Sequence, residues 1–143
     1  MGSVHVRWIG GQQYVGIDST NHSVVLSTTS EGVGMKPSEL ILVALAACTG
    51  VDVVDILAKK RTPLTSLEML VNGEQDSEPP WAYRKIHIAY RLRGKGLTDV
   101  SVQRAIELSE KKYCSVAATL RGVAEITTSF EILSENEAAK SES

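Results

Sequence analysis

Cysteine is scarce in this chain: Cys48 and Cys114 are the only two among 143 residues. A secreted disulfide scaffold needs more, so a bond between these two would be catalytic rather than structural. A strong charge of either sign is also missing. The net charge of −2 gives no electrostatic reason to expect nucleic acid or an anionic membrane as partner. Residues 1–10 lack the apolar core of a signal peptide, and Val6 stands where an N-myristoylation signal requires Ser or Thr. The longest uncharged apolar run, Leu40 to Val51, is too short to cross a bilayer. His5, His22 and His87 lack metal-ligand spacing to one another and to the cysteines, so no metal is expected. "GGQQYVG" has neither the lysine nor the following helix of a phosphate loop, and no cofactor is expected. These exclusions leave a cytoplasmic globular protein with reduced thiols.

What is present reads as one α+β domain over residues 1–133, with no repeat or linker, followed by a polar tail, 134–143, expected to fray. Apolar residues alternate over Val4–Ile9, predicting a half-buried strand that ends at Gly10–Gly11, and "YVGID" and "SVVLST" add two more strands. Pro37 suits the first turn of a helix running from about Ser38 to Lys60, where Gly50 is a potential bend. Strands follow at 66–74 and 84–94. In the second, Ile86, Ile88, Tyr90 and Leu92 point inward, and Lys85, His87, Arg91 and Arg93 outward. An amphipathic helix begins at Thr98 or Asp99 and continues to Tyr113, then come Cys114, a short helical piece and a last strand. The order is βββ-α-ββ-α-β.

The 38–60 helix is apolar on nearly every face, yet one chain offers only about six strands and one other long helix to cover it. A homodimer that buries this helix between two sheets resolves the shortfall.

Each thiol has two readings. Cys48 in an Ala-rich buried helix can be a small hydrophobe. Cys114 follows Lys111 and Lys112 between two helical segments, where cations and free N–H groups would lower its pKa. Asp52 and Asp55 share the helical face of Cys48 and oppose its ionisation, so a reactive Cys48 needs a cation from elsewhere. Both aspartates are expected to face solvent or bind an Arg or Lys.

Two stretches together, "KPSELILVALAACTGVDVVDILAKKR" (36–61) and "YCSVAATL" (113–120), resemble the OsmC/Ohr superfamily, most closely its YhfA-like branch. The resemblance covers nearly the whole chain and implies an OsmC-like fold built as an intertwined homodimer. It further implies a thiol-dependent peroxidase of organic hydroperoxides, with Cys48 peroxidatic, Cys114 resolving, and a lipoyl-type or other dithiol as reductant. Peroxidase branches place a Glu directly after the helix-opening proline and draw an Arg from the N-terminal glycine-rich turn. Here Ser38 follows Pro37, the acid is Glu39, and Gln12 and Gln13 occupy the turn. Glu39 is therefore the candidate orienting carboxylate and Arg7 the candidate activating cation, with Arg84 and Arg121 as further cations. The alternative is a non-peroxidase stress, binding or redox-sensing protein that keeps the fold and the thiols.

Overall fold

The computed structural model of the chain describes residues 2–135. It is an α+β structure with two three-stranded sheets, and it divides into two compact units, one ending at Ile41 and the other beginning at Leu42.

In the first unit β1 (His5–Gly10), β2 (Gln13–Ile17) and β3 (Ser23–Ser27) form an antiparallel meander, with His5 opposite Ile17 and Gln13 opposite Ser27. The first hairpin turns at Gly10 and Gly11, whose φ values of 113° and 53° favour glycine. A Cβ at Gly11 would also lie 2.6 Å from Glu31 Oε1. That carboxylate accepts from the Gln12 N–H (3.1 Å) and from Gln13 Nε2 (3.2 Å), so the two glutamines clamp the loop leading to Pro37. The predicted half-burial of the first strand does not hold: Val4, Val6 and Trp8 are exposed, Trp8 at 64%. Within this unit a lone three-stranded sheet supplies no second layer to cover them.

Helix α1 (Pro37–Lys59) opens with proline at its first position, where a missing N–H costs nothing. It closes with Arg61 in the left-handed region (φ 64°) and the Thr62 N–H reaching back to the Leu57 carbonyl at 2.9 Å. Its length and composition would allow it to cross a membrane, because the helix extends beyond the uncharged run. However, Leu45, Thr49, Val53 and Leu57, four residues apart, form a fully buried stripe, as in the core helix of a soluble fold.

That stripe belongs to the second unit and faces the sheet β4 (Ser66–Gln75), β5 (Tyr83–Arg93) and β6 (Glu125–Ile132). Strand β5 lies in the middle, antiparallel to β4 and parallel to β6. A parallel pair needs a long crossover, here supplied by α2 (Asp99–Leu108), a π-helical turn (Ser109–Tyr113) and α3 (Ser115–Leu120). Thr98 caps α2 by accepting from the Ser101 N–H. Ile86, Ile88, Tyr90 and Leu92 of β5 meet Val102, Ala105 and Ile106 of α2 and Ala117 of α3 in one core.

Gly50 does not break α1, which runs continuously. A Cβ there would lie 2.9 Å from Met69 Cε, so the glycine instead permits close approach to β4. Arg93 is a second correction: expected to point outward, it is buried. Its guanidinium donates to the Ser134 carbonyl (3.3 Å) and to Ser66 Oγ (3.4 Å), because the chain folds back over the end of β5 after β6. Ser134, expected to begin the frayed tail, is thus tied down; residues 136–143 lie outside the described residues. On the other side of α1, Val43, Val51 and Val54 remain exposed, Val51 at 62%.

Candidate functional site

The buried face of α2 carries Val102, Ala105 and Ile106, and Ser109 continues it into the π turn. Continued α-helical spacing would bring Lys112 or Tyr113 inward next. Instead, the Cys114 N–H bonds to the Ser109 carbonyl five residues back at 2.8 Å. This π turn inserts one residue into the period. Lys112 and Tyr113 stay outside, and Cys114 lands on the buried stripe, 3% exposed. The predicted helix through Tyr113 is therefore α-helical only to Leu108. The hydrophobic pattern up to that point carries no mark of the change.

Ser109 anchors the turn. Its hydroxyl donates to Asp52 Oδ2 (2.7 Å) and lies 3.2 Å from the Thr49 carbonyl, both on α1. Asp52 thus takes a hydroxyl partner rather than the solvent or cation expected for it, while Asp55 faces solvent as expected. Ser109→Ala would leave a half-buried carboxylate without this donor. The expected cost is about 2 kcal/mol of stability, read from denaturant unfolding.

With the turn held, Cys114 meets Cys48. Cys48 is the side chain that acts on the Cys114 thiol, and both cysteines are free. Cys114 also caps α3, its Sγ accepting from the Ala117 N–H at 3.2 Å. The expectation that this thiol is activated is reversed. Burial, together with the neighbouring Cys48, pushes Cys114 up to about 11, outweighing the backbone donors. Lys111 and Lys112 are exposed and do not offset this.

Around the pair lie groups that sequence reasoning did not single out. Tyr90, on the inward face of β5, has its hydroxyl among Thr49, Asp52, Glu110 and Cys114. Burial above all, then the negative charges, pushes it up to about 12. Glu110 is raised by burial, which Arg121 and Lys111 partly oppose.

The remaining candidates have partners of their own or face solvent. Arg121 donates to the Glu110 carbonyl, and Arg84 makes a two-pronged pair with Asp76, Nε and Nη2 each 3.0 Å from Oδ2. Glu39 lies exposed in the first turn of α1, paired with Lys36 at 3.0 Å, and Arg7 is exposed on β1. Both belong to the first unit.

A half-buried thiol on a central helix, facing a buried second cysteine at a helix junction, defines a class of protein as well as a geometry. The family model described as OsmC-like protein matches residues 29–129, and the chain belongs to that family, whose members are soluble and include hydroperoxide-reducing enzymes. Among particular relatives, Protein YhfA of Escherichia coli K12 is 33% identical over 128 residues, which span 90% of this chain and 96% of that protein. A hypothetical protein from Aquifex aeolicus has the same fold, with a TM-score of 0.85, 28% identity, and 94% and 98% of the two chains covered. The organic hydroperoxide resistance protein OhrB of Bacillus subtilis shares the fold at a TM-score of 0.63 and 17% identity, over 92% and 98% of the chains.

Proposed function

We propose that this protein is a cytoplasmic, thiol-dependent peroxidase of organic hydroperoxides. The observation that carries the reading is the contact between Cys48 and Cys114, 66 positions apart in a chain with no other cysteine. Cys48 is the less enclosed of the two, as a thiol that must meet a substrate requires. Its sulfur takes the terminal oxygen of ROOH, releasing ROH and becoming a sulfenic acid. Cys114 displaces that oxygen as water and forms the disulfide. An external dithiol, lipoyl-type or other, then restores both thiols by exchange and leaves as its own disulfide.

The working form in this reading is an intertwined homodimer. Val43, Val51 and Val54 on α1 and Val6 and Trp8 on β1 are apolar and exposed, which supports a partner subunit covering them. Arg7 is assigned as the activating cation and Glu39 as the carboxylate that orients it; both are exposed, so assembly can recruit them.

One observation favours the alternative of a non-peroxidase redox sensor. The resting Cys114 is strongly protonated, and Arg84 and Arg121 are engaged with Asp76 and with the Glu110 carbonyl. Stopped-flow oxidation of the reduced protein separates the two. A peroxidase is expected to react much faster with cumene hydroperoxide than with hydrogen peroxide, whereas slow and indiscriminate oxidation by both would support the sensor.

A further inference from the structure

Among the described residues, the only buried side-chain nitrogen or oxygen without a hydrogen-bond partner is the Tyr90 hydroxyl. Tyr90 is 1% exposed, clamped on the central strand between Met69 of β4 and Phe130 of β6, with its ring in the core. Thr49 Oγ1 is close enough to act on it but is not placed to accept from the Tyr90 hydroxyl, and its own hydrogen is directed at the Leu45 and Ala46 carbonyls (3.2 and 3.1 Å). Burying a hydroxyl unpaired costs stability, and phenylalanine would fill nearly the same volume without that cost. A donor kept unpaired beside two thiols is therefore a donor kept for another state of the site.

The charges around Cys114 indicate which state. Cys48 faces it from α1, and the Tyr90 hydroxyl of β5 lies among Cys114, Asp52 of α1 and Glu110 of the π turn, while Arg121 after α3 is turned to Glu110. Burial and the neighbouring Cys48 both oppose a thiolate at Cys114, and the donors already on its sulfur are backbone N–H groups, that of Ala117 at 3.2 Å among them. A neutral hydroxyl can help where another carboxylate would hinder.

We infer that the Tyr90 hydroxyl is the reserved hydrogen-bond donor for the Cys114 sulfur, engaging it as Cys114 loses its proton to attack oxidised Cys48. The closure step rests on the peroxidase reading; the effect on Cys114 itself does not. In that step the S–S bond forms as the S–O bond of the Cys48 sulfenic acid breaks. The departing hydroxyl leaves as water with the proton that Cys114 sheds. Tyr90 keeps its own proton throughout, consistent with its pKa near 12. It is a positioning residue that stabilises charge on the attacking sulfur.

The test is Tyr90→Phe, read three ways. In a Cys48→Ser background, Cys114 is titrated by NMR of carbon-13-labelled cysteine. Removing Cys48 takes away one group that pushes Cys114 up, which brings the titration into range. The phenylalanine variant is expected to raise the Cys114 pKa by about one unit, a tenfold loss of thiolate. With both cysteines present, disulfide closure after a single oxidation by cumene hydroperoxide is expected to slow about tenfold, while formation of the sulfenic acid keeps its rate. The variant should melt at the same temperature or higher, since the lost hydroxyl had no partner in the resting state. An unmoved Cys114 titration would overturn the inference, as would a lower melting temperature with closure unchanged. If cumene hydroperoxide fails to oxidise Cys48 at all, the peroxidase reading falls, and the Cys114 titration still decides the role of Tyr90.

Discussion

Cys48→Ser is expected to lower hydroperoxide consumption by at least ~10³-fold, the scale of loss when a covalent nucleophile is removed. A serine hydroxyl is far less acidic and less nucleophilic toward peroxide oxygen than a thiol. The rest of the site contains no group able to take its place: Cys114 is buried and held as a thiol to about pH 11. Cys114→Ser should behave differently. The first oxidation keeps its rate, because that chemistry is confined to Cys48, but the sulfenic acid has no thiol to close on. Excess hydroperoxide then carries Cys48 to sulfinic acid, and turnover stops after one or a few cycles. Following hydroperoxide loss for the two variants side by side separates nucleophile from resolver. Equal activity in wild type and Cys48→Ser would remove the peroxidase.

The second large effect is on stability at alkaline pH. In the unfolded chain Cys114 loses its proton near the ordinary 9.0 and Tyr90 near 10.0, whereas folding holds them to about 11 and about 12. Between those limits the folded state binds more protons than the unfolded one, so stability falls as the pH rises and is intact below about pH 8. At pH 11 the loss is about 2 kcal/mol from Cys114 and about 1 kcal/mol from Tyr90, and the two are not fully independent because Cys114 is among the causes that raise Tyr90. For a chain of this size that lowers the melting temperature by roughly 5–10 °C. Lysines and ion pairs titrate in the same range, so the reading is the difference between wild type and a Tyr90→Phe/Cys114→Ser double variant. The double variant should lose less stability between pH 8 and 11. Parallel curves would mean that neither group is held as described.

How much of this was legible in the sequence varies by element. Strand β5 was, because its two-residue alternation sets Ile86, Ile88, Tyr90 and Leu92 on one face, and burial follows the pattern to within one residue. Helix α1 was also legible, since Pro37 marks its start and the long apolar run its body. The pairing of Cys48 with Cys114 followed from resemblance to the OsmC/Ohr pattern, not from spacing. Periodicity failed at the π turn, because an α-helical pattern through Tyr113 and a five-residue step to Cys114 differ by one position. The tether that selects the step, Ser109 on Asp52, spans 57 residues. Arg93 was misplaced for a related reason: alternation assigns a face, but what covers that face arrives with Ser134 from the far end of the chain. The direction of the Cys114 shift was missed because nearby lysines in sequence lie outside the fold, while the burial that governs the thiol has no local signature. Tyr90 stood in the predicted core, but whether its hydroxyl found a partner was a question only three dimensions could answer.

The central claim is that Cys48 and Cys114 are one redox site. Reduced protein is treated with one equivalent of cumene hydroperoxide, quenched with an alkylating reagent, and examined by intact mass and peptide mapping. The predicted product has lost two hydrogens, contains a peptide pair joined between Cys48 and Cys114 within a single chain, and takes up no alkylating reagent. Recovery of Cys48 as sulfinic acid, with Cys114 alkylated after unfolding, would contradict the claim and return Cys114 to the role of a buried residue at a helix junction.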